Sequence, residues 1–309
     1  MRRSIFALVT LSAFASLAGC GKALAPLGTP AAPSQALAPA ASGARAPGAL
    51  LYISDTVSNS VYVYSYPQGK LKTTLYDFTD PAGECVDASG DVFVANTGAF
   101  NILEYAHGGA TPIATLKDPD WFPVGCSVNP VTGDLAVTDF PVSSGGRGDV
   151  AIYPHAKGHP HRYSDAAFAD MLLCGYDGSG NLFVDGLTSG SAFAFAELRA
   201  GSKKLTDVTL DQSIGSAGGV EWDGKYVAVG DQSTSTIYEF SVSGKTGKMV
   251  GSTVLGGASQ VFQFWIDGSK VIGPDSGLGD AGIWSYPAGG SPVKTITGLY
   301  APLGAVVSR

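Results

Sequence analysis

The chain has 309 residues, 45% of them apolar and only 15% charged, with 42 glycines and a net charge of −7. This composition belongs to a globular, β-rich protein and excludes a disordered one. No basic patch stands out along the chain, which argues against a nucleic-acid partner.

The first elements in chain order lie outside any fold. MRRS is a short basic segment, and IFALVTLSAFASLAG is apolar and rich in small residues. That run is short for a membrane-spanning helix and has the form of an export signal. It ends in Leu17-Ala18-Gly19-Cys20, which resembles the lipobox of bacterial lipoproteins. The resemblance implies that residues 1–19 are a signal peptide cleaved before Cys20, whose thiol carries lipid and makes the membrane a partner. Gly21 is not the aspartate of inner-membrane retention, so the expectation is the outer membrane or the cell surface. Residues 20–49 are Ala, Pro, Gly and Ser with almost no large apolar side chain. Such a segment cannot bury enough surface to offset its ordering entropy and reads as a tether. Loss of Arg2 and Arg3 with the leader would make the mature chain more acidic. Export places Cys85, Cys126 and Cys174 in an oxidising compartment, where a disulfide is allowed and an odd count leaves one thiol over.

From residue 50 onward the chain repeats. Short apolar runs end at or beside Asp or Asn: LYISD (51–55), VFVAN (92–96), LAVTD (135–139), LFVDG (182–186), VAVGD (227–231) and VIGPD (271–275). Glycine turns such as DASGD and DGSGN precede five of them, and before those turns lie further short strands, GECVD, GCSVN, LCGYD, GVEWD and QFWID. A third strand follows each run (VYVYSY, ILEYA, DVAIYP, AFAFAEL, TIYEFSV, GIWSYP). Outer strands such as LKTTLY, PIATLK, LTDVTL (205–210) and PVKTIT come next. Positions 55, 96, 139, 186, 231 and 275 are spaced 41 to 47 residues apart. Four strands at that period predict propeller blades, six of them, over residues 50–309. The first copy lacks its innermost strand. LGAVVS at 303–308 supplies it and closes the ring, leaving no open sheet edges.

VDASGDVFVANTGAFNILEY resembles the NHL-repeat and SMP-30-like six-bladed propellers. The resemblance spans 50–309 and implies the fold far more than a function, since this architecture hosts enzymes, receptors and scaffolds. In that family the column Asp55, Asn96, Asp139, Asp231 and Asp275 lies where the second strand enters the loops on one face, near the channel. Blade 4 departs, with Gly186 in the slot and Asp185 one before it. One reading is turn chemistry, in which Asp and Asn side chains accept loop N–H groups. The other is a ring of oxygen donors that could take a ligand or a hard divalent cation such as Ca²⁺. SMP-30-like lactonases imply such a metal site, with Glu84 and Glu221 as donors on inner strands. Those two fall in adjacent columns and point differently, and the family's ligand motifs do not map onto this chain.

Loops on the same face carry Phe78, Trp121, Phe122, Phe168 and Tyr300. They serve either as plugs between blades or as an aromatic surface for a carbohydrate or peptide, with Trp121 and its neighbour Phe122 the candidates for binding. His107 and His155 align with Gln68 and Ala288 in hairpin turns, and His159 and His161 lie just beyond, so all four read as solvated hairpin residues. Cys126 and Cys174 share a column on neighbouring inner strands and are the candidate disulfide, subject to the short Cα separation such a bond needs, with Cys85 left over. The chain has no Gly-x-Ser-x-Gly elbow, P-loop or Cys-x-x-Cys, and no catalytic residue is assigned. The expectation is a lipid-anchored, monomeric, non-catalytic module binding a protein, peptide or carbohydrate at the channel face. The alternative is an SMP-30-like metal-dependent lactonase.

Overall fold

A computed structural model describes residues 48–143 and 146–309. The signal, Cys20 and nearly all of the tether lie outside the described residues. Six antiparallel sheets form six blades. Blade 2 runs from the inner strand Pro81–Val86 through Val92–Asn96 and Asn101–Tyr105 to the outer Pro112–Lys117. Blade 3 is Trp121–Val128, Leu135–Pro141, Asp149–Tyr153 and His161–Tyr163. Blade 4 is Asp170–Tyr176, Leu182–Leu187, Phe193–Leu198 and Thr206–Asp207. Blade 5 is Ala217–Trp222, Val227–Asp231, Thr236–Ser243 and Thr246–Val254, and blade 6 is Trp265–Asp267, Lys270–Asp275, Asp280–Ser285 and Gly289–Thr297.

Blade 1 contains Leu50–Asp55, Ser60–Ser65 and Lys70–Leu75, and the C-terminal strand Pro302–Ser308 is its innermost member. Leu50 pairs with Ser308 and Tyr52 with Val306, so the ring closes as the repeat requires. His107 secures this closure and is buried, a correction to its expected solvation. Its Nδ1 lies 2.6 Å from Ser308 Oγ and its Nε2 3.1 Å from the Gly48 carbonyl. Ser308 Oγ in turn donates to the Gly90 carbonyl at 2.5 Å. The turn position is the same as in the sibling blades, but only here does the returning C-terminus cover it. His155, His159 and His161 are exposed as expected.

The second strands are buried on both faces (LLYISD, VFVAN, LFVDGL, VAVGD), because each blade packs against a neighbour on either side. Their near-continuous apolar character follows from this. The cores lie between blades: Tyr52, Val94 and Tyr105 between blades 1 and 2, Phe93, Val137 and Tyr153 between blades 2 and 3, and Val229, Phe195 and Phe240 between blades 4 and 5. Inner strands converge until backbone meets backbone. A Cβ on Gly83, Gly125 or Gly175 would lie 2.5, 2.8 or 2.5 Å from the carbonyl oxygen of Val124, Leu172 or Val220 in the next blade.

Two expectations are corrected. LTDVTL is divided: Thr206–Asp207 ends blade 4, whereas Thr209–Leu210 joins the edge of blade 5 as a parallel fifth strand, with Val208 buried between them. The disulfide is Cys85–Cys126, with Cα atoms 5.6 Å apart, and Cys174 is the free, buried thiol. The shared column of Cys126 and Cys174 is the reason they do not pair. Residues in one column point to the same side of successive blades, so Cys126 faces blade 2 while Cys174 faces blade 3. Cys85, one position off, points the other way and meets Cys126 across the seam.

Candidate functional site

The acidic column divides into two kinds of residue. Asp275 accepts from the backbone N–H groups of Ser259, Gln260, Gly277 and Leu278 at 2.6–3.2 Å. Asp231 accepts from Gly215, Ser216 and Ser233 N–H groups and the Ser233 hydroxyl at 2.7–3.0 Å. Asp55 accepts from Ser58, Tyr300 and Ala301, and Asn96 accepts from Thr79 while donating to Asn101 Oδ1. These side chains tie the incoming loop of a blade to the loop that leaves it, which is turn chemistry. Burial pushes the Asp231 carboxyl up, but hydrogen bonds from Ser233, Gly215 and Ser216 outweigh it and hold it below the usual aspartate range.

Blade 4 departs for a steric reason. A Cβ at Gly186 would collide with the Asp170 carbonyl. Asp185 instead accepts from the Leu173 N–H at 2.9 Å, the part that Ser54 and Thr138 play for Gly304 and Gly125.

Asp139 is the exception within the column. No loop backbone reaches it. Its Oδ2 is 3.1 Å from Arg162 Nη1, which also donates to Asp149 Oδ1 at 2.8 Å, and Arg162 Nη2 is paired with Asp118 of the preceding blade. Three largely buried carboxyls therefore share one guanidinium. Burial, with the neighbouring Asp149 charge and hydrogen bond, pushes Asp139 well above the aspartate range. Burial raises Asp149 to about 7 and lowers Arg162 only to about 10, so the pair holds a proton at neutral pH while the guanidinium stays charged.

Trp121 lies over this cluster, its ring 4.7 Å from the Arg162 guanidinium carbon, in cation–π geometry. Beside it three half-buried rings form a row, Phe122 lying 5.0 Å from Phe100 and 4.9 Å from Phe140. Next to the row is a cleft of about 400 Å³ lined by Ala99, Phe100, Asn101, Thr115, Lys117, Pro119, Asp120 and Val142. The features gather at one seam, between blades 2 and 3, on the face where the acidic column ends. The seam is cross-linked by the disulfide, by Arg162–Asp118, by Thr97 Oγ1 donating to the Pro123 carbonyl at 2.6 Å and by Tyr153 Oη donating to the Lys117 carbonyl at 3.3 Å. Of the other face aromatics, Phe78 and Phe168 are buried as plugs between blades and Tyr300 is exposed.

Arg162, Phe100 and Phe140 were missed from sequence. Arg162 sits on a three-residue outer strand whose pairing no local pattern marks. Phe100 follows Gly98-Ala99 in an ordinary loop, where its φ of 56° is unusual for an aromatic residue.

Apolar side chains gather among the inner segments. Val124, Leu172, Ala217, Phe262 and Leu303, from the inner segments of five blades, meet in one cluster. Gln263 adds a polar bridge: its Oε1 accepts from the Glu84 N–H at 2.9 Å and its Nε2 donates to the Glu84 carbonyl at 2.7 Å. The Glu84 carboxyl is buried with neither oxygen hydrogen-bonded, and burial pushes it well above the glutamate range. Burial also raises Glu221, to about 8. Among the described residues, no three His, Cys, Asp or Glu side chains are placed to hold a metal ion together.

Among solved structures, a chain of the nidogen/laminin complex is similar over 85% of this chain and 99% of its own length, with a TM-score of 0.69 at 14% identity. Hydrazine synthase of Kuenenia stuttgartiensis is similar over 77% of this chain and 81% of its own, with a TM-score of 0.62 at 14% identity. At that identity the likeness is one of fold, and the class of protein is the six-bladed β-propeller. No family model matches the chain, and no curated protein matches it.

Proposed function

We propose that this protein is a lipid-anchored, extracytoplasmic propeller of the NHL-like kind that acts as a non-catalytic binding module, taking its ligand at the seam of blades 2 and 3. The observation that carries this reading is the row Phe100–Phe122–Phe140 beside Trp121, held half-buried on a cross-linked seam next to a cleft. Rigid aromatics with a few polar groups at a concave site are the usual makings of recognition. The nidogen/laminin complex contains a chain of this fold within a protein–protein assembly. The alternative, a metal-dependent lactonase, needs several oxygen donors to converge; metal analysis and a lactone screen on purified protein would favour it if positive.

Trp121→Ala and Phe122→Ala should each weaken capture on peptide and glycan arrays at least tenfold while leaving the thermal midpoint within a few degrees. Undiminished capture by both variants would refute the seam as the binding site. Cys20→Ser should abolish palmitate incorporation and release the protein from membranes.

A further inference from the structure

The cleft between blades 2 and 3 has a composition that narrows the ligand. Its aromatic wall is Phe100, backed on one side by Phe122. Around that ring stand polar groups: Thr115, Lys117 and Asp120 are exposed and make no side-chain hydrogen bond among the described residues. The Asn101 amide oxygen is engaged by Asn96, which leaves the Asn101 Nδ2–H groups as donors. The lining thus offers an ammonium, an amide N–H, a hydroxyl and a carboxylate beside an apolar surface of Phe100, Ala99, Pro119 and Val142, in which Phe100 is the one aromatic ring. The two formal charges are opposite and equal, so the cleft favours neither an anion nor a cation.

Phe100 and Asp120 both line the cleft with left-handed backbone, φ of 56° and 71°. At Phe100 the conformation belongs to the repeat, since Asn59, Ser235 and Gly279 hold it at the same turn position in other blades. A peptide would need a row of free backbone partners or several apolar pockets. The strand beneath the cleft, Asn101–Tyr105, is paired on both edges, and the cleft holds one ring face.

We infer that this cleft is a subsite for a neutral carbohydrate. One pyranose lays its C–H face on Phe100, and its vicinal hydroxyls, each both donor and acceptor, bond to Asp120, Lys117 and Asn101. The charged partners make the stronger of these hydrogen bonds. The inference rests on the binding reading above and specifies its ligand.

The test uses the mature protein in detergent, titrated with cellotetraose, chitotetraose, maltotetraose and mannotetraose and followed by calorimetry and by the fluorescence of Trp121. At least one tetrasaccharide should bind saturably. Phe100→Gly, which removes the ring and accepts the left-handed backbone without strain, should weaken it at least tenfold. Asp120→Asn, which keeps shape and backbone tolerance, should weaken it several-fold. Near-UV circular dichroism of both variants should match the parent. Absence of binding by all four sugars, or binding that survives both substitutions, overturns the inference. A peptide array decides what falls with it: peptide capture sensitive to Trp121→Ala sinks the carbohydrate assignment and keeps the binding module, whereas failure of both ligand classes sinks both.

Discussion

The seams between blades 2 and 3 and between blades 5 and 6 are built from the same repeat and are held in different ways. At blades 5 and 6 the column residues Asp231 and Asp275 are filled by backbone N–H groups. Trp284 Nε1 donates to the Gly256 carbonyl, and Tyr286 Oη to Asp223. These polar groups are spent on holding loops and joining the two blades. At blades 2 and 3 the work passes to a disulfide and to Arg162, whose guanidinium takes three carboxyls from two blades. The two inner strands of blade 3 run on past the column and carry Trp121, Phe122 and Phe140 there instead. A repeat can vary one seam where one copy delegates its turn-holding task to other groups.

Breaking the two seams should therefore give different signatures. The largest effect is expected from Cys85→Ser with Cys126→Ser. The bond spans a sequence separation of 41 residues, and closing such a loop is worth about 4 kcal/mol on the chain-entropy model. A denaturant midpoint lower in the double variant than in the oxidised parent checks it. With Cys20 replaced, one thiol, that of Cys174, should titrate under denaturant.

Arg162→Leu comes next, with a loss of about 3 kcal/mol at pH 7, because three carboxyls are then left without their cation. The deficit should shrink at pH 5, where the coupled acids hold their protons. Asp231→Ala should cost about 2 to 3 kcal/mol through four unmade hydrogen bonds, with no such recovery at pH 5. If Arg162→Leu and Asp231→Ala lose the same stability at both pH values, the distinction between the seams is wrong.

The smallest effect is expected from Asp139→Asn, within about 1 kcal/mol at pH 7, since the residue it replaces is already held protonated. The pH dependence sharpens the same contrast. Asp149 and Asp185 are raised by burial to about 7, so between pH 4 and 7 the unfolded chain has released protons that the folded one keeps. Their contribution to stability is present at low pH and is lost as pH rises through 7. Asp231, held below its usual range, acts oppositely, and its contribution is lost only as pH falls through the acid range. Thermal midpoints should drop from pH 5 to pH 8, and Asp149→Asn should flatten that slope.

The six blades, their order, the closing strand and the position of the acidic column were all legible in the sequence. They depend on local periodicity and turn residues repeated six times, and repetition averages out the ambiguity of any one copy. The division of that column into loop-holding residues and a charge cluster was not legible. Asp139 and Asp275 occupy the same slot, and the difference lies in whether a backbone N–H or the side chain of Arg162, from a separate strand, reaches the carboxylate. The cysteine pairing depended on which side of each blade a side chain faces. The burial of His107 depended on where the C-terminus comes to rest. The repeat by itself determined the architecture, because every blade must bury both faces against its neighbours. Only the tertiary structure decided how each seam is held, because Arg162 reaches Asp149, Asp139 and Asp118 across 13, 23 and 44 residues of chain, contacts that no local pattern encodes.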